Sequence, residues 1–244
     1  MNIVSAPLTN GAYGFPQGKV RRRKPTILAC LHQTAGTASA LAERRYANRA
    51  DSRGPSATAY VDKDGTIVRA VDPVKYAAWS QGGVRNPDRT IPSVNIAMRQ
   101  WPSVNFNEWV YESVEVCGRG PEPYNAAQFE AVAQLIARAS KALNLPVNRS
   151  TVITHRDVNT VDRPNDPWPA ATREARMKRI ITRANAILHP APAIVNHVVV
   201  AGDSLSEIAS DHHITLAKLL SFPQNAKYRA NPRLIHVGDI VRVK

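Results

Sequence analysis

The sequence predicts an α/β protein, with a mixed β-sheet flanked by helices and, after it, a small β-α-α-β domain. Three observations carry this expectation. Apolar runs such as TILACLHQ (26–33) and YESVEVCG (111–118) suit strands in a covered sheet. Between such runs lie stretches whose apolar residues recur at helical spacing. A proline-bearing seam, HPAPAIVN (189–196), divides a larger part, residues 1–188, from a shorter one, residues 197–244, that has room for only one small core.

Taken in order, residues 26–33 form a nearly continuous apolar strand, and residues 37–49 look helical. ATAYVDKDGTIVRAVD (57–72) reads as a hairpin that turns at Lys63-Asp64-Gly65. SVNIAM (93–98) is a short strand candidate and YESVEVCG a better one. Asn125 with Gln128 three residues on makes a capping-box start for a helix whose stripe is Phe129, Val132, Ile136, Ala139 and Leu143. Leu145-Pro146 stops that helix, and TVITHRD (151–157) supplies another strand. Residues 172–188 are an amphipathic helix, with Met177, Ile180, Ile181, Ala184 and Leu188 on one side. Beyond the linker come a strand, two short helices and a closing strand, DIVRVK.

Composition narrows the function classes. Of 244 residues, 43% are hydrophobic and 21% charged, which excludes a wholly disordered chain. No apolar run approaches the ~18 residues that span a bilayer, and residues 1–20 lack the basic and apolar regions of a signal peptide. The net charge is +13, and residues 189–244 hold six Lys/Arg against four acids, so most of the excess belongs to the larger part. Anionic partners are favoured. Nucleic acid is not expected, because the run Arg21-Arg22-Arg23-Lys24 comes without interleaved aromatics or a recognised nucleic-acid fold. Two cysteines, Cys30 and Cys117, are too few for a disulfide framework and are expected to be buried thiols.

The chemistry-bearing residues cluster at strand ends. His32 follows TILACL and His155 follows TVIT, so the two imidazoles converge if those strands are neighbours. Asp166 lies eleven residues beyond His155 in a proline-stiffened loop. Two histidines and a carboxylate with a fourth position open form the pattern of a catalytic zinc site. Asp157 and Asp162 compete for the third place. Glu115 sits in mid-strand, where an acid is costly unless paired or functional. Glu112 falls on the opposite face and is expected to be solvated.

Four motifs in this order, LHQTAG, SATAYVDKDGTIVRAV with AAWSQGG, SVEVCG, and THRD with NDPWP, resemble the zinc-dependent N-acetylmuramoyl-L-alanine amidases of the type-2 class. These share their fold with the peptidoglycan recognition proteins. The resemblance covers residues 22–185. It implies a Zn2+ site of His32, His155 and Asp166, and cleavage of the amide between N-acetylmuramic acid and L-alanine. One branch of the family uses a hairpin tyrosine, at the position held here by Ala57; the other uses a strand glutamate, which Glu115 matches. Tyr60 is three residues off the tyrosine position and is expected to face elsewhere. The family's lysine has no direct counterpart: Pro164 stands two residues before Asp166, and Arg163 takes the place when counted from His155. Thr58 replaces a histidine common in the hairpin. Trp79 is a candidate groove wall for sugar or peptide.

Residues 197–244, with GDSLSEIA and LIHVGDIVRV, resemble a LysM domain, which binds N-acetylglucosamine-containing glycans such as peptidoglycan. That resemblance places sugar contacts at Gly202, Asp203, Ser204 and Leu205, and at Gln224 and Asn225. The whole chain is similar to phage endolysins, which gather in the host cytoplasm and reach the wall through a separate membrane lesion. The alternatives are a peptidoglycan binder without catalysis and a bacterial muropeptide-recycling amidase.

Overall fold

The strand ILACLHQ has no residue suited to solvent until its end, and it takes the place that this demands. In the computed structural model, which describes residues 1–9, 19–36, 38–49, 56–81, 106–120, 122–190 and 193–244, Ile27–His32 are all buried inside the sheet. The strands are β1 (Ile3–Ser5), β2 (Lys19–Val20), β3 (Ile27–Gln33), β4 (Ala59–Val61), β5 (Ile67–Arg69), β6 (Tyr76–Ala77), β7 (Val110–Val116), β8 (Val152–Thr154), β9 (Asn196–Val198) and β10 (Ile240–Arg242). The helices are α1 (Ala40–Ala47), α2 (Ala126–Leu143), α3 (His155–Val158), α4 (Ala170–Leu188), α5 (Leu205–Asp211) and α6 (Leu216–Ser221). They fall into two units, Met1–His189 and Pro190–Lys244.

The first unit holds a six-stranded mixed sheet in the order β1-β5-β4-β7-β3-β8. β3 runs parallel to both β7 and β8, β4 runs parallel to β7, and the β4-β5 hairpin is antiparallel. Its turn places Gly65 at φ +84°, where a Cβ would also come within 2.9 Å of the Ala127 carbonyl oxygen, so glycine is required twice over. α2 starts on the Asn125–Gln128 capping box and ends at Asn144 in the left-handed region, just before Leu145-Pro146. Its stripe of Val132, Leu135, Ile136 and Ala139 packs with Met177, Ile180 and Ala184 of α4 and with Leu31, Val114 and Val116 of the sheet. A second cluster, with Tyr60, Val68 and Ala40, and a third, with Cys30, Phe106 and Ile153, complete the core. Both cysteines are buried and free. Arg21 donates to the carbonyls of Pro73, Tyr76, Glu108 and Val110, which pins the start of the basic run to the sheet. The strand candidate at 93–98 lies outside the described residues.

Glu112 corrects an expectation. It is only 2% exposed, and both its oxygens accept from the Arg69 guanidinium at 2.6 and 2.9 Å, while Thr58 donates to it at 2.6 Å. The Glu112 face of β7 is thus closed to water, and a carboxylate held there needs a cation. Replacing Arg69→Met leaves that charge buried without its cation, and we expect a loss of about 3–5 kcal/mol in unfolding free energy. The double variant Arg69→Met with Glu112→Gln should recover most of it. Thermal or urea unfolding checks this, and a single-variant loss below ~1 kcal/mol would mean that the carboxylate finds water or a proton.

In the second unit, β9 and β10 pair antiparallel, and a 3-10 turn (Pro223–Tyr228) joins the second helix to the closing strand. Ser204 and Glu207 form a capping box at the start of α5. The core gathers Val199, Leu205, Ile208, Leu219, Tyr228 and Val241. Leu205 and Asn225, expected at sugar contacts, are core residues instead. Asn225 is wholly buried and ties the carbonyls of Leu219 and Arg242 and the Arg242 amide, at 2.7–2.9 Å. Its amide thus has its partners inside the domain. Gly202 and Gln224 are exposed, and Asp203 and Ser204 half-buried. No described helix is long and apolar enough to cross a membrane.

Candidate metal centre and its cleft

The site follows from strand register. Leu31 of β3 lies opposite Thr154 of β8, so His32 and His155, one residue further along each chain, emerge side by side. His32 is also the register partner of Glu115, and Glu115 is the partner of Tyr60 on β4. The loop after α3 returns through a bond from the Arg156 amide to the Asp166 carbonyl, and the Gln33 amide donates to Asp166 Oδ1 at 2.9 Å. Asp166 Oδ2 is thereby set against both imidazoles.

Three donor atoms converge. His32 Nδ1 and His155 Nδ1 are 3.0 Å apart, and Asp166 Oδ2 lies 3.0 Å from His155 Nδ1 and 3.7 Å from His32 Nδ1. A tetrahedral zinc site with bonds of ~2.0–2.1 Å spaces its donors by ~3.3 Å, so the set fits such an ion. The outer partners fit as well. His155 Nε2 meets the Gln81 carbonyl at 3.2 Å, which fixes the ring with Nδ1 facing inward. His32 Nε2 lies 3.4 Å from Ser113 Oγ and from Gln81 Nε2, and Tyr124 donates its hydroxyl to the His32 carbonyl at 2.9 Å. Burial, together with the neighbouring His155, pushes His32 down to about 4, so its lone pair is available at neutral pH. Burial opposes ionisation of Asp166, yet the bonds from His155 and His32 hold it well below the usual carboxylate range.

The triad opens on a cleft of about 250 Å³ lined by Glu115, Tyr60, Arg163, Ser80, His155 and Asp166 among others. Burial, reinforced by the Asp166 charge, pushes Glu115 up to about 8, and its buried Oε2 has no hydrogen-bond partner among the described residues. A carboxylate kept costly at the mouth of a metal-type site is poised to take a proton.

Of the expected residues, His32, His155, Asp166, Glu115 and Arg163 meet here. Tyr60 also lines the cleft, contrary to expectation, because aligned residues on paired strands share a face; its hydroxyl accepts from the Ala57 amide at 3.2 Å. Trp79 is half-buried, its backbone paired with Ser56, and does not line this cleft; its neighbours Ser80 and Gln81 reach the site instead. Asp157 accepts from Thr154 and Arg149, and Asp162 from Asn159, so neither belongs to the triad. Sequence reasoning missed Gln81, Ser113 and Tyr124. Only Ser113 carried a signal, being two residues from Glu115 and so on the same face.

Comparison with known proteins agrees with this geometry. Residues 22–169 match the family described as Amidase_2, N-acetylmuramoyl-L-alanine amidase, and residues 197–244 match the LysM domain. The fold is similar to that of the catalytic domain of XlyA, at 18% identity and TM-score 0.51, over 74% of this chain and 99% of that one. It is similar to PlyL at 18% identity and TM-score 0.52, over 75% and 97%. It is also similar to the Staphylococcus aureus hydrolase AmiA, solved with its ligand, at 18% identity and TM-score 0.52, over 77% and 84%. No curated protein matches the chain. With the family match spanning most of the first unit and its possible metal triad, the chain belongs to the N-acetylmuramoyl-L-alanine amidases, enzymes of peptidoglycan hydrolysis, and carries a LysM domain after the amidase domain.

Proposed function

We propose that the chain cleaves the bond between N-acetylmuramic acid and L-alanine at the His32–His155–Asp166 triad, with Glu115 as the proton carrier. The convergence of three lone-pair donors beside a Glu115 oxygen that has no hydrogen-bond partner among the described residues supports this reading most directly. Zinc held by the triad supplies Lewis-acid activation of water at neutral pH. Glu115 accepts the proton of the attacking water and delivers it to the leaving alanine nitrogen. Arg163, on the cleft wall, adds positive charge near the carbonyl oxygen as it becomes an oxyanion. The Gln81 carbonyl and Tyr124 hydroxyl hold His155 and the end of β3 in place. With all three donors present, catalysis is favoured over a binding-only role. Digestion of purified peptidoglycan tests this: new amino-terminal alanine is expected, without new reducing sugar ends. The reverse pattern would sink the assignment.

The domain arrangement we propose is amidase (1–188), linker (189–196) and a LysM anchor (197–244) that takes an N-acetylglucosamine-containing glycan. Truncation after residue 190 should leave hydrolysis of small soluble muropeptides nearly unchanged. On intact walls it should cost ~10-fold or more in rate at limiting enzyme, because the tether raises local concentration. The comparison belongs at ~0.15 M salt or above, where a Debye length of about 8 Å screens attraction between the basic amidase domain and anionic polymers. Equal wall clearance by the truncated chain would remove the anchor role, and loss on the soluble substrate would move the boundary.

The pairing of a wall-cleaving domain with a wall-binding one also supports an endolysin role. Cells that accumulate the protein in the cytoplasm should then stay turbid until their membrane is permeabilised, and clear rapidly afterwards.

A further inference from the structure

Ser80 and Gln81 belong to no strand or helix, yet this short segment reaches both imidazoles of the triad. The Gln81 carbonyl accepts from His155 Nε2 at 3.2 Å. The Gln81 side-chain amide donates at 3.0 Å to Ser113 Oγ, which lies 3.4 Å from His32 Nε2, and the Ser80 hydroxyl meets the same Ser113 oxygen. A segment without a ladder of its own must find partners for its backbone elsewhere. Asn107 supplies them. Its Oδ1 accepts from the Ser80 amide at 3.1 Å and from the Gln81 amide at 3.0 Å, which fixes the backbone just ahead of the Gln81 carbonyl.

Asn107 is itself held. It is 2% exposed and sits in the 3-10 turn Phe106–Trp109. Phe106 and Trp109 pack with Cys30 of β3 and Ile153 of β8, each two residues before a histidine of the triad. The strands that carry the histidines therefore also anchor the turn that aims an outer partner at them. The buried side-chain nitrogen of Asn107 has no hydrogen-bond partner among the described residues, so what this position uses is its oxygen.

We infer that Asn107 is a positioning residue of the metal centre. Through one carbonyl oxygen it holds the Ser80–Gln81 backbone so that the Gln81 carbonyl keeps the proton of His155 on Nε2 and leaves the Nδ1 lone pair facing the other donors. The inference rests on the metal centre proposed above and adds the group that holds one of its outer partners. A ligating histidine depends on the acceptor of its second ring nitrogen, which sets both tautomer and ring orientation. Without Asn107 the two amides turn to other acceptors, and the Gln81 carbonyl leaves its line to His155.

The test uses the full chain. Zinc affinity, measured by competition with a chelator, should fall by about 10-fold in Asn107→Leu, the lower end of the range for outer partners because Asn107 acts through Gln81. Leucine fills the same space without an acceptor. Asn107→Asp keeps an acceptor oxygen in place and should restore most of the affinity, which a space-filling role would not require. In the metal-free chain, the His155 Nε2 proton followed by NMR should exchange slowly in the unaltered protein and in Asn107→Asp, and faster in Asn107→Leu. Unchanged zinc affinity in a folded Asn107→Leu chain overturns the inference, and so does a loss that Asn107→Asp shares in full. If Asn107→Leu does not fold, amide exchange in the unaltered chain decides: the Ser80 and Gln81 N–H groups should both be protected, and exchange at the rate of open chain overturns the clamp. Weak zinc binding by the unaltered chain would refute the metal centre instead, and the His155 proton would still decide the role of Asn107.

Discussion

His32→Ala and Asp166→Ala should each lose tightly bound zinc and hydrolysis together, with turnover down by at least ~10³-fold. The magnitude follows from what a zinc ion held there would do for water, whose pKa such a metal lowers from its bulk value toward ~7. Each variant removes one of the three donors that converge among the described residues, and the Asp166 variant also releases the Gln33 amide that now bonds to Oδ1. Metal content by mass spectrometry and hydrolysis of a soluble muropeptide, measured on the same preparation, check the coupling. Asp157→Asn is the control: it disturbs the start of α3, where Asp157 accepts from Thr154, but removes no donor of the triad, so zinc should stay. Full activity after verified metal removal would refute zinc catalysis. Tight zinc in the Asp166 variant would show that the third donor lies elsewhere.

Glu115→Gln should separate chemistry from metal binding. Glutamine keeps the shape and hydrogen-bonding capacity of the side chain but takes up no proton at neutral pH. Zinc should be retained, because Glu115 is opposite His32 in the sheet without being one of the three donors. Turnover should fall by ~10²–10⁴-fold, the usual scale of general acid–base catalysis. The KM should change little by comparison, since the lost function concerns proton transfer. Near-normal turnover would transfer the role to another group on the cleft wall, and Tyr60 is the first to test, because it is the register partner of Glu115 on β4. Tyr60→Phe would then show the loss that Glu115→Gln did not.

Different residues in this chain were legible to different degrees. β3 could be placed inside the sheet because its own composition leaves it no solvent face. The starts of α2 and α5 were legible because each cap is closed by residues three apart, Asn125 with Gln128 and Ser204 with Glu207. The hairpin turn was legible because Gly65 adopts a backbone conformation that a side chain strains. His32 and His155 stood out because both follow apolar strands, but their meeting required β3 and β8 to be neighbours, and nothing in either segment says so alone.

The sequence by itself thus determined what depends on neighbours along the chain: element types, caps, turns, the charge balance and the residue types able to hold a metal. Only the tertiary structure decided which side chains share a space. It put Tyr60 beside Glu115, gave Glu112 its cation in Arg69, brought the Gln81 carbonyl under His155, and drew Leu205 and Asn225 into the core of the second unit. Periodicity shows that two residues of one strand share a face. It does not show what covers that face, because the covering groups come from segments distant in sequence, and their positions are fixed by packing and strand pairing.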